Sequence, residues 1–399
     1  MKIARIVYEW PPPWAGLAPA PYEITKSQTK KKHEVTIFCA RWPRSGRLVT
    51  VPDVNIHHVW RAPLQGTVAL TSAIHIFFKY RKWRKRNTPD IIHAHGHFGI
   101  WIYLYRNFLE RFFPWSKELK TPMVMHFHNT VKGRWEKLKE EKAYVSPISR
   151  FLDWPLAQKA DKWALKGATA CIFVSEKLKQ EAIKYYKADP ERCFVIESGV
   201  NIEIFRSAGS EEKQKTRNDL NLDRYDKVIL NLGIMVERKN IHTLIESLRF
   251  LPPEYKLMLL GPDGEDDGYK LKLLSIIDQY NLEERVIRVG YTPYPQVPIA
   301  FQMADIFVLP SSFEGFPKVA LEALATGIPV LASGFEPKYE VPGFVKIEKA
   351  DPENLAAQIK AVVTNPPQVN TYKVMHLYSW DVKAAQIDKV YEFVKKAYE

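Results

Sequence analysis

Cysteine is scarce in this chain. Of 399 residues only Cys39, Cys171 and Cys193 are cysteines, with no Cys-x-x-Cys pair and one thiol left over in any disulfide scheme. That excludes a disulfide-stapled scaffold and a thiolate metal cluster, and it suits a reducing cytosol. Long apolar runs are also missing. The N-terminal MKIARIVYEWPPPW turns to prolines after one short stretch, too brief for a signal-peptide core, and reads as a first strand. The most apolar later stretch, FGIWIYLYRNFL, meets Arg106 well before the roughly 18–20 residues that a spanning helix needs. A soluble or peripheral protein is expected. Glycine is modest at 18 and no fixed-period repeat is visible, while 46% hydrophobic content supplies two ordinary cores. No Asp-x-Asp occurs anywhere.

What is present is charge of one sign, unevenly spread. The net charge of +13 divides into 34 Lys+Arg against 17 Asp+Glu in residues 1–200 (+17) and 24 against 28 in the remainder (−4). The first half therefore faces something anionic: a membrane surface, a phosphorylated acceptor or nucleic acid. Short β-branched runs alternate with helical patterns throughout, the mark of βαβ units and parallel sheets. KIARIVY, HEVTIFC, DIIHAHG, PMVMHFH, TACIFVS and CFVIESG read as strands, with helices near 69–86, 98–112, 149–167 and 176–187. Residues 206–226 are polar and read as a connection with one exposed helix. KVILNLG, YKLMLLG, VIRVG, DIFVLP and PVLAS then form a second series, with helices near 240–250, 268–281, 298–303 and 317–326 and a closing amphipathic helix at the end. The fold class is α/β: two Rossmann-like doubly wound parallel-sheet domains with their strand C-termini toward one cleft.

SSFEGFPKVALEALATGIPV, residues 311–330, carries the chemistry. Pro317 suits a helix's first turn, and Gly327 and Pro329 mark its exit, so a helix over 317–326 follows the buried strand DIFVLP. Its free N–H groups and positive dipole end make an anion site from backbone alone. Glu314 lies ahead of the helix and Glu322 inside it. A lone glutamate is ordinarily a solvated charge. Two that flank a helix start can bracket one ligand, each carboxylate gripping a vicinal diol while the helix end takes a diphosphate. That is what a nucleotide sugar demands.

On these residues the sequence resembles the retaining glycosyltransferases of family 4, whose fold is GT-B. The resemblance implies that Glu314 contacts the transferred sugar, that Glu322 binds the ribose, and that the backbone of Gly315, Phe316, Pro317, Lys318 and Val319 holds sugar and phosphates. In LGIMVERKN it implies that Gly233 and Lys239 bind the donor diphosphate. Ile234 stands where the family's arginine is usual, and neighbouring Arg238 either replaces it or is a solvated surface arginine. WPPPWAGLAPAPYEI resembles the family's proline-then-glycine loop and keeps Gly16, with Ala15 where a second glycine is common; a plain turn is the alternative. His128 in PMVMHFHNT matches a histidine that approaches donor sugar and acceptor. VIESGVNIEIF keeps a structural Gly199 and a Phe205 expected as an interdomain plug, GPDG matches a loop near the base, and Glu340 is carried over weakly. The implied catalytic residues are His128, Glu314 and Lys239. The domains are 1–205 on the acceptor side, 206–375 for the nucleotide sugar, and a helix over 376–399 returning to the first.

Histidines 93, 95, 97, 126 and 128 could suggest a metal, but carboxylate partners are lacking, and neither metal nor cofactor is expected. The leaving diphosphate is instead neutralised by Lys239, Arg238 and the 317 helix end. The basic, aromatic stretches FFKYRKWRKRN (77–87) and KGRWEKLKEEK (132–142) read either as solvated faces or as a dock for anionic lipid presenting a lipid or lipid-linked glycan acceptor. No nucleic-acid-binding module is recognisable. The protein is placed in the cytoplasm, peripheral on the membrane face when docked. A catalytically weakened binding subunit and a sugar-nucleotide epimerase are the competing readings; the nucleotide, the sugar and the oligomeric state are left open.

Overall fold

A computed structural model describes residues 1–397 apart from 13, 15–17, 42–45, 62–71, 141–146, 148, 149, 152, 153, 220, 221, 224, 265, 315, 336 and 338, and apart from the side chains of His97, Lys137 and Asp219. Two of the expected ligand-binding residues, Gly16 and Gly315, thus lie outside the described residues. The chain forms two compact units, Met1–Ser198 with Trp380–Glu399, and Gly199–Ser379.

The first unit is a seven-stranded parallel sheet in the order β3-β2-β1-β4-β5-β6-β7. Its strands are β1 (Lys2–Glu9), β2 (Glu34–Arg41), β3 (Val54–Trp60), β4 (Ile91–His95), β5 (Met123–Phe127), β6 (Ala170–Phe173) and β7 (Cys193–Val195). The central β4 and β5 are buried at every residue, as parallel strands covered on both faces must be. Helices α1 (Pro19–Lys30), α2 (Ser72–Arg84), α3 (Ile100–Phe112), α4 (Val131–Glu140), α5 (Trp154–Gly167) and α6 (Glu176–Tyr186) provide that cover. The fully buried Arg5 of β1 bonds Thr25 and Gln28 of α1, and Gln28 passes the contact on to Asp388 at 2.6 Å.

The second unit repeats the plan with six strands, β8 (Lys227–Leu232), β9 (Tyr255–Leu260), β10 (Val286–Gly290), β11 (Ile306–Leu309), β12 (Val330–Ala332) and β13 (Phe344–Lys346), in the order β10-β9-β8-β11-β12-β13. Around it lie α7 (Ser210–Asp219), α8 (Ile241–Ser247), α9 (Asp267–Gln279), α10 (Val297–Met303), α11 (Lys318–Ala325), α12 (Pro352–Thr364) and α13 (Thr371–Tyr378). The last helix, α14 (Trp380–Lys396), belongs to the first unit, where Ile387, Val390, Tyr391 and Val394 enter the core beside Ile3 and Ile24. The strand order reverses between β1 and β4 in one sheet and between β8 and β11 in the other. Phe205 is 1% exposed inside the second unit, its ring against Tyr294 and Phe301.

The polar connection over 206–226 is tied down rather than merely solvated. Arg217 and Lys213 of α7 pair with Asp305 at 2.6 and 3.0 Å, and Asp305 also accepts from the Val228 amide at 2.8 Å. Burial alone would raise the Asp305 carboxyl, but Lys213 and Arg217 with that amide bring it below its ordinary value. A depressed carboxylate stabilises the fold above the unfolded-state pKa, and that stability is lost as pH falls through the depressed value. Asp305→Asn leaves the buried Arg217 without its counter-charge and should cost about 3 kcal/mol, read by urea unfolding at neutral pH, with the gap to wild type closing in acid.

Candidate functional site

In an open doubly wound sheet the loops following the two strands at the reversal point diverge and leave room for a ligand. Here those loops are 233–240 after β8 and 310–317 after β11. The strands are tied where they end, Asn231 Nδ2 donating to the Val308 carbonyl at 2.7 Å, and the loops are tied to each other, the Ser312 amide donating to the Arg238 carbonyl at 2.9 Å. Gly233, at φ 150°, leads out of β8; a Cβ there would lie 3.2 Å from Lys239 Nζ, in a backbone region that side chains rarely adopt. The glycine thus gives the lysine its path. A short 3₁₀ turn over Glu237–Lys239 places Arg238 and Lys239 side by side.

Both cations converge on Glu314. Its Oε1 lies 2.7 Å from Lys239 Nζ and 3.0 Å from Arg238 Nη1, and it accepts from Ser311 Oγ at 2.9 Å. All three contacts fall on one oxygen, so among the described residues Oε2 stays open to a further donor. Burial would raise the Glu314 carboxyl, but Lys239 and Arg238 hold it below its ordinary value. Lys239 shows the reverse balance: burial pulls its ammonium down, Glu314 pushes it up, and Arg238 adds to the fall. The Glu314 backbone is fixed as well, its amide donating to the Gly334 carbonyl at 2.9 Å. Arg238 thus contacts Glu314 while its side chain stays 39% exposed, and Ile234 is 51% exposed. Ser311 and Gly334 were not singled out from sequence, although a serine directly after an apolar strand is a usable signal.

Helix α11 starts at Lys318 with Pro317 as its N-cap, and no side chain caps its first turn. A helix start without a side-chain cap, its positive dipole end foremost, is where an anion can be held. Phe316 rings face Phe335 and Tyr378, so its side chain anchors the loop, Pro317 is buried, and Lys318 and Val319 are half-buried. Glu322 is buried within α11. Asp263 of the GPDG loop is engaged by Arg288 and Lys270, and Glu340 is exposed.

In the first unit the histidines form a stack. His93, His95 and His126 are buried, with ring centroids 4.5–5.6 Å apart, and their ligand atoms lie within 4.8 Å of one another. Burial, with Arg5 and the neighbouring imidazoles adding to it, holds all three well below the usual histidine range, so they are neutral. The three rings are stacked or tilted at 10–31° to one another, and Arg5 shares the Tyr391 hydroxyl with His93, which sets a fixed cation beside the cluster. His128 ends the stack half-buried, its Nε2 3.2 Å from His95 Nδ1.

The family model described as Glycosyl transferases group 1 matches residues 212–376, and the one described as Glycosyltransferase Family 4 matches residues 15–204. An uncharacterised glycosyltransferase of Methanocaldococcus jannaschii is 24% identical over 98% of both chains. Sucrose-phosphate synthase from Thermosynechococcus elongatus superimposes with TM-score 0.78 at 19% identity over 99% of both chains. HepE of Anabaena, solved in complex with UDP and glucose, gives 0.75 at 18% identity over 98% of this chain and 100% of the other. The two structural likenesses speak for the shared fold alone.

Proposed function

The chain belongs to the group 1 glycosyltransferases of the GT-B fold, and from the loops after β8 and β11 we propose that it takes a hexose-type sugar from a nucleoside diphosphate donor with retention of anomeric configuration. The observation that carries this is the Glu314 carboxylate, held through one oxygen by Lys239, Arg238 and Ser311 beside the uncapped start of α11. Carboxylate, cations and helix start supply the three kinds of contact a nucleotide sugar needs. HepE binds UDP and glucose, which supports a donor of that class.

As the glycosidic bond breaks, negative charge grows on the diphosphate. Lys239, Arg238 and the first-turn amides of α11 offset it, so the reaction needs no metal; the lack of an Asp-x-Asp sequence supports this. Glu314 Oε2 accepts a hydroxyl of the sugar, Glu322 accepts the ribose diol, and His128 is assigned by resemblance alone to the sugar and acceptor. The acceptor attacks from the side the leaving group vacates, a phosphate oxygen drawing its proton, so no protein nucleophile is required. The acceptor is a lipid or lipid-linked glycan at an anionic membrane surface, which the +17 of residues 1–200 supports.

Glu322→Ala should weaken donor binding about 10- to 100-fold by calorimetry, the loss of charge-assisted hydrogen bonds to a diol; unchanged affinity would remove Glu322 from the site. The exposed Ile234 at the usual arginine position favours a second reading, a binding subunit with weakened catalysis. Slow hydrolysis of a nucleotide sugar by the purified chain rejects it, and product analysis separates transfer from epimerisation.

A further inference from the structure

Helix α3 carries aromatic residues where a surface helix should be polar. Its inward face is Ile102, Tyr103, Arg106 and Leu109, all buried. Its outward face repeats Trp101, Tyr105, Phe108 and Phe112 at helical spacing, and the chain continues into Phe113 and Trp115. Phe112 is 53% and Trp115 74% exposed, with Phe108 and Phe113 close to half. These rings form one chain in space: Phe108 to Phe112 at 5.0 Å, Phe108 to Phe113 at 6.1 Å and Phe113 to Trp115 at 6.0 Å. A run of exposed rings of this kind, even with Asn107, Glu110 and Arg111 beside it, normally has something against it.

The charges around this patch say what that is. α2 lies alongside, Phe77 meeting Tyr105 at 5.6 Å and the Arg81 guanidinium lying over the Tyr105 ring at 3.9 Å. The stretch 72–87 holds six basic residues and no acid. Its end is clamped to the aromatic turn: Arg84 donates to the Lys117 carbonyl at 3.2 Å and pairs with Glu118 at 3.2 Å, and Tyr80 donates to Glu118 at 2.7 Å. Lys82, Lys85, Arg86, Arg111 and Lys117 are exposed on these elements, against one exposed acid, Glu110. An aromatic wedge with a cationic skirt matches the boundary of an anionic bilayer, where Trp and Phe sit at headgroup depth and Lys and Arg meet phosphate.

We infer that Phe108, Phe112, Phe113 and Trp115 insert into an anionic lipid surface and that the α2 tail with Arg111 and Lys117 anchors there, which rests on the membrane-borne acceptor above and names the surface that meets it.

Sedimentation of the full chain with phosphatidylcholine vesicles, and with vesicles also containing phosphatidylglycerol, tests this, with calorimetric binding of UDP and thermal midpoint as controls for folding. Wild type should bind only the anionic vesicles, and salt should release it. F112S/W115S and K85E/R86E should each lower partitioning by roughly tenfold or more, with thermal midpoint and UDP binding kept. No binding to anionic vesicles, or binding unaltered in F112S/W115S, overturns the inference. So does concentration-dependent self-association that F112S/W115S abolishes, which would make the patch a dimer face. UDP binding without vesicle binding sinks the docking surface and leaves the donor site standing; vesicle binding without nucleotide binding does the reverse.

Discussion

Lys239→Met is expected to lower kcat/KM for sugar transfer by about 10²–10³-fold, in the range for removal of one preorganised group that faces developing charge. Methionine nearly matches the lysine stem in length, so the path past Gly233 remains filled and the loop keeps its shape. What disappears is a cation 2.7 Å from Glu314 Oε1, buried where water cannot replace it. Arg238 and Ser311 still hold Glu314, so the sugar-binding carboxylate stays in place. The loss should therefore appear mainly in kcat, since charge on the diphosphate is greatest as the bond breaks. A variant that keeps more than a third of wild-type turnover would take Lys239 out of catalysis.

Glu314→Gln should be about as damaging, and its pH profile should identify the cause. Burial already lowers the Lys239 ammonium, and Glu314 is the nearby charge that raises it. The amide removes that support, so Lys239 must lose its proton at lower pH than in wild type. Transfer requires the ammonium form. The alkaline limb of the kcat profile should thus move to lower pH in the variant, besides an overall fall of about 10²-fold from the lost sugar contact. A profile of unchanged shape would show that Glu314 does not support the Lys239 charge. A rise in the alkaline limb would contradict the electrostatics outright.

Much of the fold could be read from the chain because its central strands are buried on both faces and so form short apolar runs, as in DIFVLP, while DIIHAHG opens on Ile91 and Ile92 before its buried histidines. The edge strands were not legible: in β3, VNIHHVW, half-buried positions carry polar residues, and β13 is three residues long. Helix α1 was hidden for another reason, since Glu23, Thr25, Ser27 and Gln28 are buried polar residues, Thr25 and Gln28 bonding Arg5, which erases the apolar period. Helix α4, VKGRWEKLKE, presented only its charge. At the candidate site the two-glutamate spacing and Lys239 were visible, because both depend on local strand-turn-helix chemistry. The contact of Arg238 with Glu314 was not, since it depends on a carboxylate 76 residues away along the chain. The aromatic face of α3 escaped notice because a helix pattern with two apolar faces reads as burial.

A nucleoside diphosphate diffused into crystals of the full chain is the most direct measurement. Its phosphates should lie within hydrogen-bond distance of Lys239 Nζ and the opening amides of α11, with the ribose on Glu322. Density for the nucleotide anywhere else, with the loops after β8 and β11 left empty, would contradict the assignment of the donor site.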